Sequence, residues 1–405
     1  MTARAYLDHN ATSPLRPEAL EAMTAALRLP GNASSVHAEG RQARAAIETA
    51  REQVAALVGA VPRQVVFTSG GTEANVMALS PAWFGDKRRV RLFVSGMEHA
   101  SVLRGGQFGA GDVERLPVDA HGVVDMEAAR ARLAAWREVS EGAPFMASVM
   151  LANNETGAVQ PVAATAALVY EAGGLMHTDA VQAAGKIAVE AGARGADLLT
   201  LSAHKCGGPK GAGALVICRD GLPVAPLLKG GGQERGYRAG TENVAAIAGF
   251  GAAAQAAMRD LASFARLAAM RDEMEAEIAR ISGGAVFFAR GKERLPNTSC
   301  FAVPGMQAET LVIAMDLAGV AVSAGSACSS GKVERSHVLD AMDVPPELGA
   351  AAIRVSLGWN TEVADIERFL AAWKAIVLKR RSGDSIRLTK SLPGAAARPD
   401  GEVEE

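Results

Sequence analysis

The stretch DLLTLSAHKCGGPKGAG, residues 197–213, decides how the chain is read. Its apolar run over 198–201 has the compactness of a buried strand and stops at Ser202, and Lys205 follows between a histidine and glycines. A lysine set directly after a buried strand is shielded from water. A shielded amine sheds its charge readily, and the neutral form can hold an aldehyde as a Schiff base. Lysines are ordinarily surface groups, so Lys205 by itself settles nothing. The weight comes from what stands at the other strand ends.

Upstream, QVVFTS (64–69) reads as a buried strand running into GGTEANVMAL (70–79), a glycine turn opening a helix. The free amides and partial positive charge of a helix start suit a phosphate, which makes Gly71 and Thr72 the candidate cup. A second strand over 90–95 ends just before His99, and imidazole there can stack on a ring and carry protons near neutral pH. FMASVMLANNETGAVQP (145–161) repeats the pattern with Asn153, Asn154 and Glu155, although paired asparagines serve equally as turn formers. After a helix over 162–173, GLMHTDAVQAAGK brings a strand ending in Asp179 and Gln182. A carboxylate at that position is placed to pair with a protonated ring nitrogen. Strand ends separated by helices imply a mostly parallel sheet with its polar residues gathered at one edge. One ring-and-phosphate cofactor then accounts for Thr72, His99, Asn154, Asp179, Gln182 and Lys205 together, where separate turn and core explanations would each have to hold.

The flanking regions are less specific. YLDHNATSPLRP (6–17) is turn-rich, with His9 and Asn10 reading equally as site-lining or as turn residues, and a short helix follows over 18–29. A helix after the polar loop 31–40 sets Ala43, Ile47, Ala50, Val54, Leu57 and Val58 on one face. KGGGQERGYRAGTENVAAIAG (229–249) is a charged glycine-rich loop offering Arg238 and Thr241 as further phosphate ligands, and it opens a helical region to about residue 281. Short strands over 285–288, 298–303, 320–323 and 353–357 alternate with helices, as in a smaller α/β domain. The expected division is an arm (1–20), a large domain (21–255), a small domain (256–380) and a disordered polar tail (381–405).

With 405 residues, 49 % hydrophobic and 21 % charged, the chain is long enough for two cores. A net charge of −2 without a basic stripe argues against nucleic acid or an anionic membrane as the main partner. There is no apolar stretch of membrane-spanning length and no signal peptide in MTARAYLDHN, so a cytoplasmic protein is expected. The four cysteines contain no CxxC pair, so no metal site or disulfide framework is expected. Cys206, Cys218 and Cys300 read as small buried hydrophobes. Cys328, in SAGSACSSGKV (323–333), differs: glycines and serines surround it, and Lys332, Arg335 and His337 follow closely enough to favour a thiolate.

Taken in order, YLDHNAT, SSVHAEGR, FTSGGTEAN, EHASV, NNETGAVQP, HTDAVQAAGK, SAHKCGGPKG, RAGTENV and SAGSACSSGKVERSHVL resemble the class V aminotransferase group of fold-type I pyridoxal-phosphate enzymes, and within it the cysteine desulfurases of the NifS/IscS type. The resemblance covers about residues 5–375, and the RxGHHCA loop of the SufS-like group is absent. It implies the fold-type I architecture, an α/β large domain on a mostly parallel seven-stranded sheet with a smaller α/β C-terminal domain. By matching motif, Lys205 resembles the Schiff-base lysine and His99 the ring-stacking acid/base. Asp179 would pair with the pyridinium nitrogen, Gln182 with the ring hydroxyl, and Gly71, Thr72, Ser202 and His204 with the phosphate. Thr241 resembles the residue that reaches a neighbouring subunit's phosphate, which implies a homodimer. Asn154, Asn10 and Arg354 would hold L-cysteine, with the guanidinium on its carboxylate. Cys328 would take the sulfur as a persulfide, leaving L-alanine, and pass it to an iron–sulfur scaffold or sulfur carrier. A selenocysteine lyase or another class V aminotransferase or lyase would share the cofactor site, and a non-catalytic partner of sulfur-trafficking proteins is the alternative from another class.

Overall fold

A computed structural model describes residues 4–85, 89–192, 195–223, 226–325 and 335–382. Its seven-stranded sheet runs, in spatial order, Val65–Thr68, Gly213–Ile217, Leu198–Ser202, Leu175–Asp179, Phe145–Ser148, Arg91–Ser95 and Val113–Leu116. Gly213–Ile217 pairs antiparallel on both sides and the other pairings are parallel, so six strands point the same way. The inner strands are buried along their whole length, which is why they read as continuous apolar runs rather than alternating ones.

Two strands of this sheet escaped the sequence reading. Val113–Leu116 is an edge strand carrying Glu114 and Arg115, with only Leu116 buried, so it lacks the apolar density of its neighbours. Gly213–Ile217 follows a glycine run that reads as loop. Its first residue is needed for contact, because a Cβ on Gly213 would lie 2.5 Å from the Gly70 carbonyl carbon. The phosphate-type turn is therefore laid directly on this strand.

Helices cover the sheet. Ala38–Leu57 is capped by His37, whose ring nitrogen accepts from the Gly40 amide at 3.3 Å. It packs against Val244–Arg259 through the apolar face seen in the sequence. Burying Ile47 and Val54 there contributes roughly 1.5–3 kcal/mol each. The helical region expected as far as residue 281 is divided into Val244–Arg259, Leu261–Phe264 and Leu267–Ser282, with the breaks at Asp260 and over 265–266.

A second core gathers Phe301, Ile353, Val355, Phe369 and Trp373 around a four-stranded antiparallel sheet, ordered Ser323–Ala324, Ala352–Ser356, Thr298–Ala302, Val286–Phe287. The arm joins this region: Ala5–Tyr6 pairs in parallel with Val320–Ala321. Among the described residues no helix is long and apolar enough to cross a membrane.

Candidate active site

Parallel strands place their C-terminal ends along one edge of the sheet. There a cavity of about 270 Å³ is lined by Gly71, Thr72, His99, Asn154, Asp179, Gln182, Ser202, His204 and Lys205, with Asn10 from the arm and Arg354 from the second sheet. Residues separated by up to 344 positions thus share one site. Thr241 is exposed and does not line the cavity, and Cys328 lies outside the described residues.

Lys205 closes a short 3-10 turn, Ala203–Lys205, directly after the Leu198–Ser202 strand. Its Nζ donates to the carbonyl oxygens of Asn10 at 2.6 Å and Ala11 at 2.8 Å. Asp179 ends its strand and accepts from Asn75 Nδ2 at 2.8 Å and the Val181 amide at 2.9 Å. Asn75 Nδ2 also donates to Ser101 Oγ, which stands 2.8 Å from His99 Nδ1. The Ser101 amide donates to the same ring nitrogen at 3.2 Å. Nδ1 is therefore an acceptor, and neutral His99 carries its proton on Nε2. Burial lowers the His99 pKa, Asp179 opposes that, and Lys205 and His337 add to it. Asn75 and Ser101 were missed from the sequence, since an asparagine and a serine inside short helices carry no local mark of this chain of contacts.

The phosphate end rests on close packing. A Cβ on Gly71 would come within 3.2 Å of both Ser202 Cβ and Val181 Cγ2, so this first residue of the helix Gly71–Ala78 leaves room that a side chain would take. Burial, then Lys205, pushes His204 down to about 4, so it is neutral at pH 7. Arg238, expected as a further phosphate ligand, instead pairs with Glu73 at 2.9 Å. Its loop is also held by Glu234, which grips Arg51 with both oxygens at 2.8 and 2.9 Å and accepts from the Phe67 amide.

On the opposite wall, Arg354 is 1 % exposed, and Nη1 donates to the Asn154 carbonyl at 2.9 Å while Nη2 pairs with Asp8 at 2.8 Å. Its Nε is buried with no partner among the described residues. A buried cation with an unused N–H beside a cavity is suited to a carboxylate. Asn10, expected at the substrate, lines the cavity. Its amide nitrogen donates to the Asn154 carbonyl and Thr298 Oγ1, and its amide oxygen accepts from Lys186 and Asn297. With both ends of the amide bonded to protein, Asn10 also ties the arm to both cores. His9 resolves to packing, since its ring occupies the space a Cβ on Gly358 would need, and burial takes its pKa to about 3. Asn153 is likewise a turn former whose Oδ1 accepts from the amides of Glu155 and Thr156. Cys206 and Cys218 are pushed by burial to about 11 and about 12, as inert thiols are.

The donor set fits pyridoxal 5′-phosphate: a helix start with hydroxyls suits the phosphate, a carboxylate the ring nitrogen, and an amine the aldehyde. Asn75 Oδ1, buried beside Asp179 without a partner among the described residues, is a polar atom in want of a donor.

A sequence profile of the aminotransferase class-V family matches residues 5–369. A cysteine desulfurase from Cereibacter sphaeroides is 44 % identical over 388 residues, covering 94 % of this chain and 97 % of the relative. The cysteine desulfurase IscS of Dictyoglomus turgidum is 40 % identical, covering 94 % and 96 %. Among solved structures, a NifS-like protein from Rickettsia africae superimposes with a TM-score of 0.82 at 32 % identity, covering 92 % of this chain and 99 % of that one.

Proposed function

The chain belongs to the class-V aminotransferase family, and from that premise we propose that it is a pyridoxal-phosphate-dependent cysteine desulfurase working at the cavity around Lys205. The observation that carries this reading is the meeting of Lys205, Asp179, Gln182, His99 and Arg354 on one cavity. When bound, the cofactor supplies an aldehyde for amines and a ring that draws electrons from the α-carbon.

The protein's own groups do the rest. Arg354 holds the substrate carboxylate, and the Asp8 pair and the Asn154 carbonyl keep the guanidinium from turning. Asp179, itself oriented by Asn75 and the Val181 amide, presents a negative charge to the ring nitrogen. Gly71, Thr72, Ser202 and His204 receive the phosphate. The Lys205 amine takes the α-proton, and His99 gives or receives protons at Nε2. Cys328 then attacks the substrate sulfur: an S–S bond forms, the C–S bond breaks with its electron pair left on carbon, and protonation at that β-carbon together with return of a proton to the α-carbon yields L-alanine.

Thr241 is exposed, and its loop is held by the Arg51–Glu234 and Glu73–Arg238 pairs. We assign it to the phosphate of a second subunit, so the active form is a homodimer. The persulfide is handed to an iron–sulfur scaffold or another sulfur carrier in the cytoplasm. Incubation with L-cysteine and a thiol reductant should give alanine and sulfide in equal amounts. Cys328→Ala should abolish both while the cofactor's visible absorbance remains. Unimpaired turnover in that variant, or pyruvate in place of alanine, would sink the reading.

A further inference from the structure

Lys186 is 4 % exposed, and the proposed chemistry gives it no task. A lysine so deeply placed ordinarily needs a carboxylate. Here Nζ donates instead to two amide oxygens, Gln182 Oε1 at 2.7 Å and Asn10 Oδ1 at 2.8 Å. The backbone is built for this contact. The Lys186 amide bonds to the Ala183 carbonyl at 2.9 Å, and Gly185 takes φ +77°, which lets the chain turn so that Lys186 reaches back to Gln182. A Cβ on Gly185 would stand 2.9 Å from Ala257 Cβ.

The contact decides which way the Gln182 amide faces. Its oxygen takes the lysine proton, and its nitrogen donates to the Asn10 carbonyl at 2.9 Å, so both neighbours demand the same orientation. An amide nitrogen carries two hydrogens, and the second remains for the cavity that Gln182 lines. The reverse orientation would set an NH₂ against the amine and a carbonyl against a carbonyl. Burial, with Lys205 and Arg354 nearby, pushes the Lys186 pKa well down. Ammonium and free amine both donate, so the lock holds in either form.

We propose that Lys186 is a positioning residue for cofactor recognition: it locks Gln182 with its nitrogen toward the cavity, so that the site selects a ring bearing an acceptor oxygen at that point. The proposal rests on the reading of Gln182 as donor to the ring's phenolic oxygen. The competing role is purely structural, a tie from the large domain to the arm through Asn10. The two separate in equilibrium binding of pyridoxal 5′-phosphate and of its 3-deoxy analogue, which lacks that oxygen, to the full chain stripped of cofactor.

Lys186→Met should weaken the natural cofactor about tenfold and leave the analogue's affinity unchanged. Equal weakening of both ligands, or of neither, overturns the proposal. Gln182→Ala serves as the reference. If it too fails to distinguish the ligands, the reading of Gln182 is at fault; if it distinguishes them while Lys186→Met does not, only the lock fails. Should Lys186→Met not fold, Lys186→Arg decides, since it keeps a donor but displaces it: a loss confined to the natural cofactor supports the lock, and any other pattern overturns it.

Discussion

On one wall of the cavity Asp179, Gln182, Ser202 and Lys205 hang from neighbouring strand ends of a single sheet. On the other, Arg354 and Asn10 arrive from the four-stranded sheet and the arm. The first wall is placed by backbone ladders: Asp179 lies in register with Thr200, and Ser202 with Gly213. On the second, Arg354 also sits in a ladder, in register with Cys300 and Ser323, and the side chains are fixed further by bonds between distant segments, such as Arg354 to Asp8 and Asn10 to Thr298. On the proposed function, the difference separates a cofactor platform built on one sheet from a substrate-holding face tied together by polar contacts across the two cores and the arm. Substitutions on the platform should therefore change whether the cofactor is held, and substitutions opposite it should change how well the substrate binds.

The sharpest break falls on the platform. Lys205→Ala should lose the visible absorbance of the lysine-held cofactor and at least about 10⁴-fold in turnover, measured as alanine release. Retention of that absorbance would refute the lysine assignment. On the opposite wall, Arg354→Lys keeps the charge but removes the fork that engages Asp8, Asn154 and a carboxylate together, and kcat/KM for L-cysteine should fall about 100-fold, mostly through KM. A fall in kcat alone would place Arg354 with the chemistry instead of the binding.

The platform also carries a pH liability. His177 lies within the sheet between Ser148 Oγ at 2.8 Å and Thr200 Oγ1 at 3.0 Å, and burial takes its pKa to about 3. Because the folded value lies below the unfolded one, the unfolded chain binds the extra proton. Its stability contribution is full above about pH 6.5 and drains as pH falls toward 3. Unfolding free energy should drop by about 2 kcal/mol from this residue between pH 7 and pH 5, and denaturant melts of the wild type and His177→Gln at both pH values test it. Equal pH dependence in the two proteins would remove His177 from the account. The smallest effect is expected at Asp8. Asp8→Ala frees one side of Arg354, and KM for L-cysteine should rise about tenfold with kcat nearly unchanged and the cofactor still bound.

Much of the platform was legible because its signals are local. Apolar runs that stop abruptly at Ser202 and Thr68, and glycines placed before helices, can be read over a few residues. Lys205, Asp179, Gln182 and His99 were singled out this way, and the structure gathers them on one cavity. Val113–Leu116 was missed because an edge strand keeps charges on its open side, and Gly213–Ile217 because contact with Gly70 demands glycine where strands ordinarily exclude it. Asp8, Asn75, Ser101 and Lys186 were missed for a different reason. Each is an ordinary polar residue whose importance lies in its partner, and for Asp8 that partner stands 346 positions away.

By itself, then, the sequence determined the strand–turn–helix alternation, the cofactor-type residues at the strand ends and the family motifs, because backbone periodicity and turn chemistry are written over short spans. The tertiary structure alone decided that Arg354 and Lys205 line one cavity, that Asn10 is a tie between the cores, that His99 keeps its proton on Nε2, and that Lys186 donates to the Gln182 amide oxygen. Buried polar groups must find partners wherever the packed chain brings them, and which partners those are is settled only when the two cores and the arm close on each other.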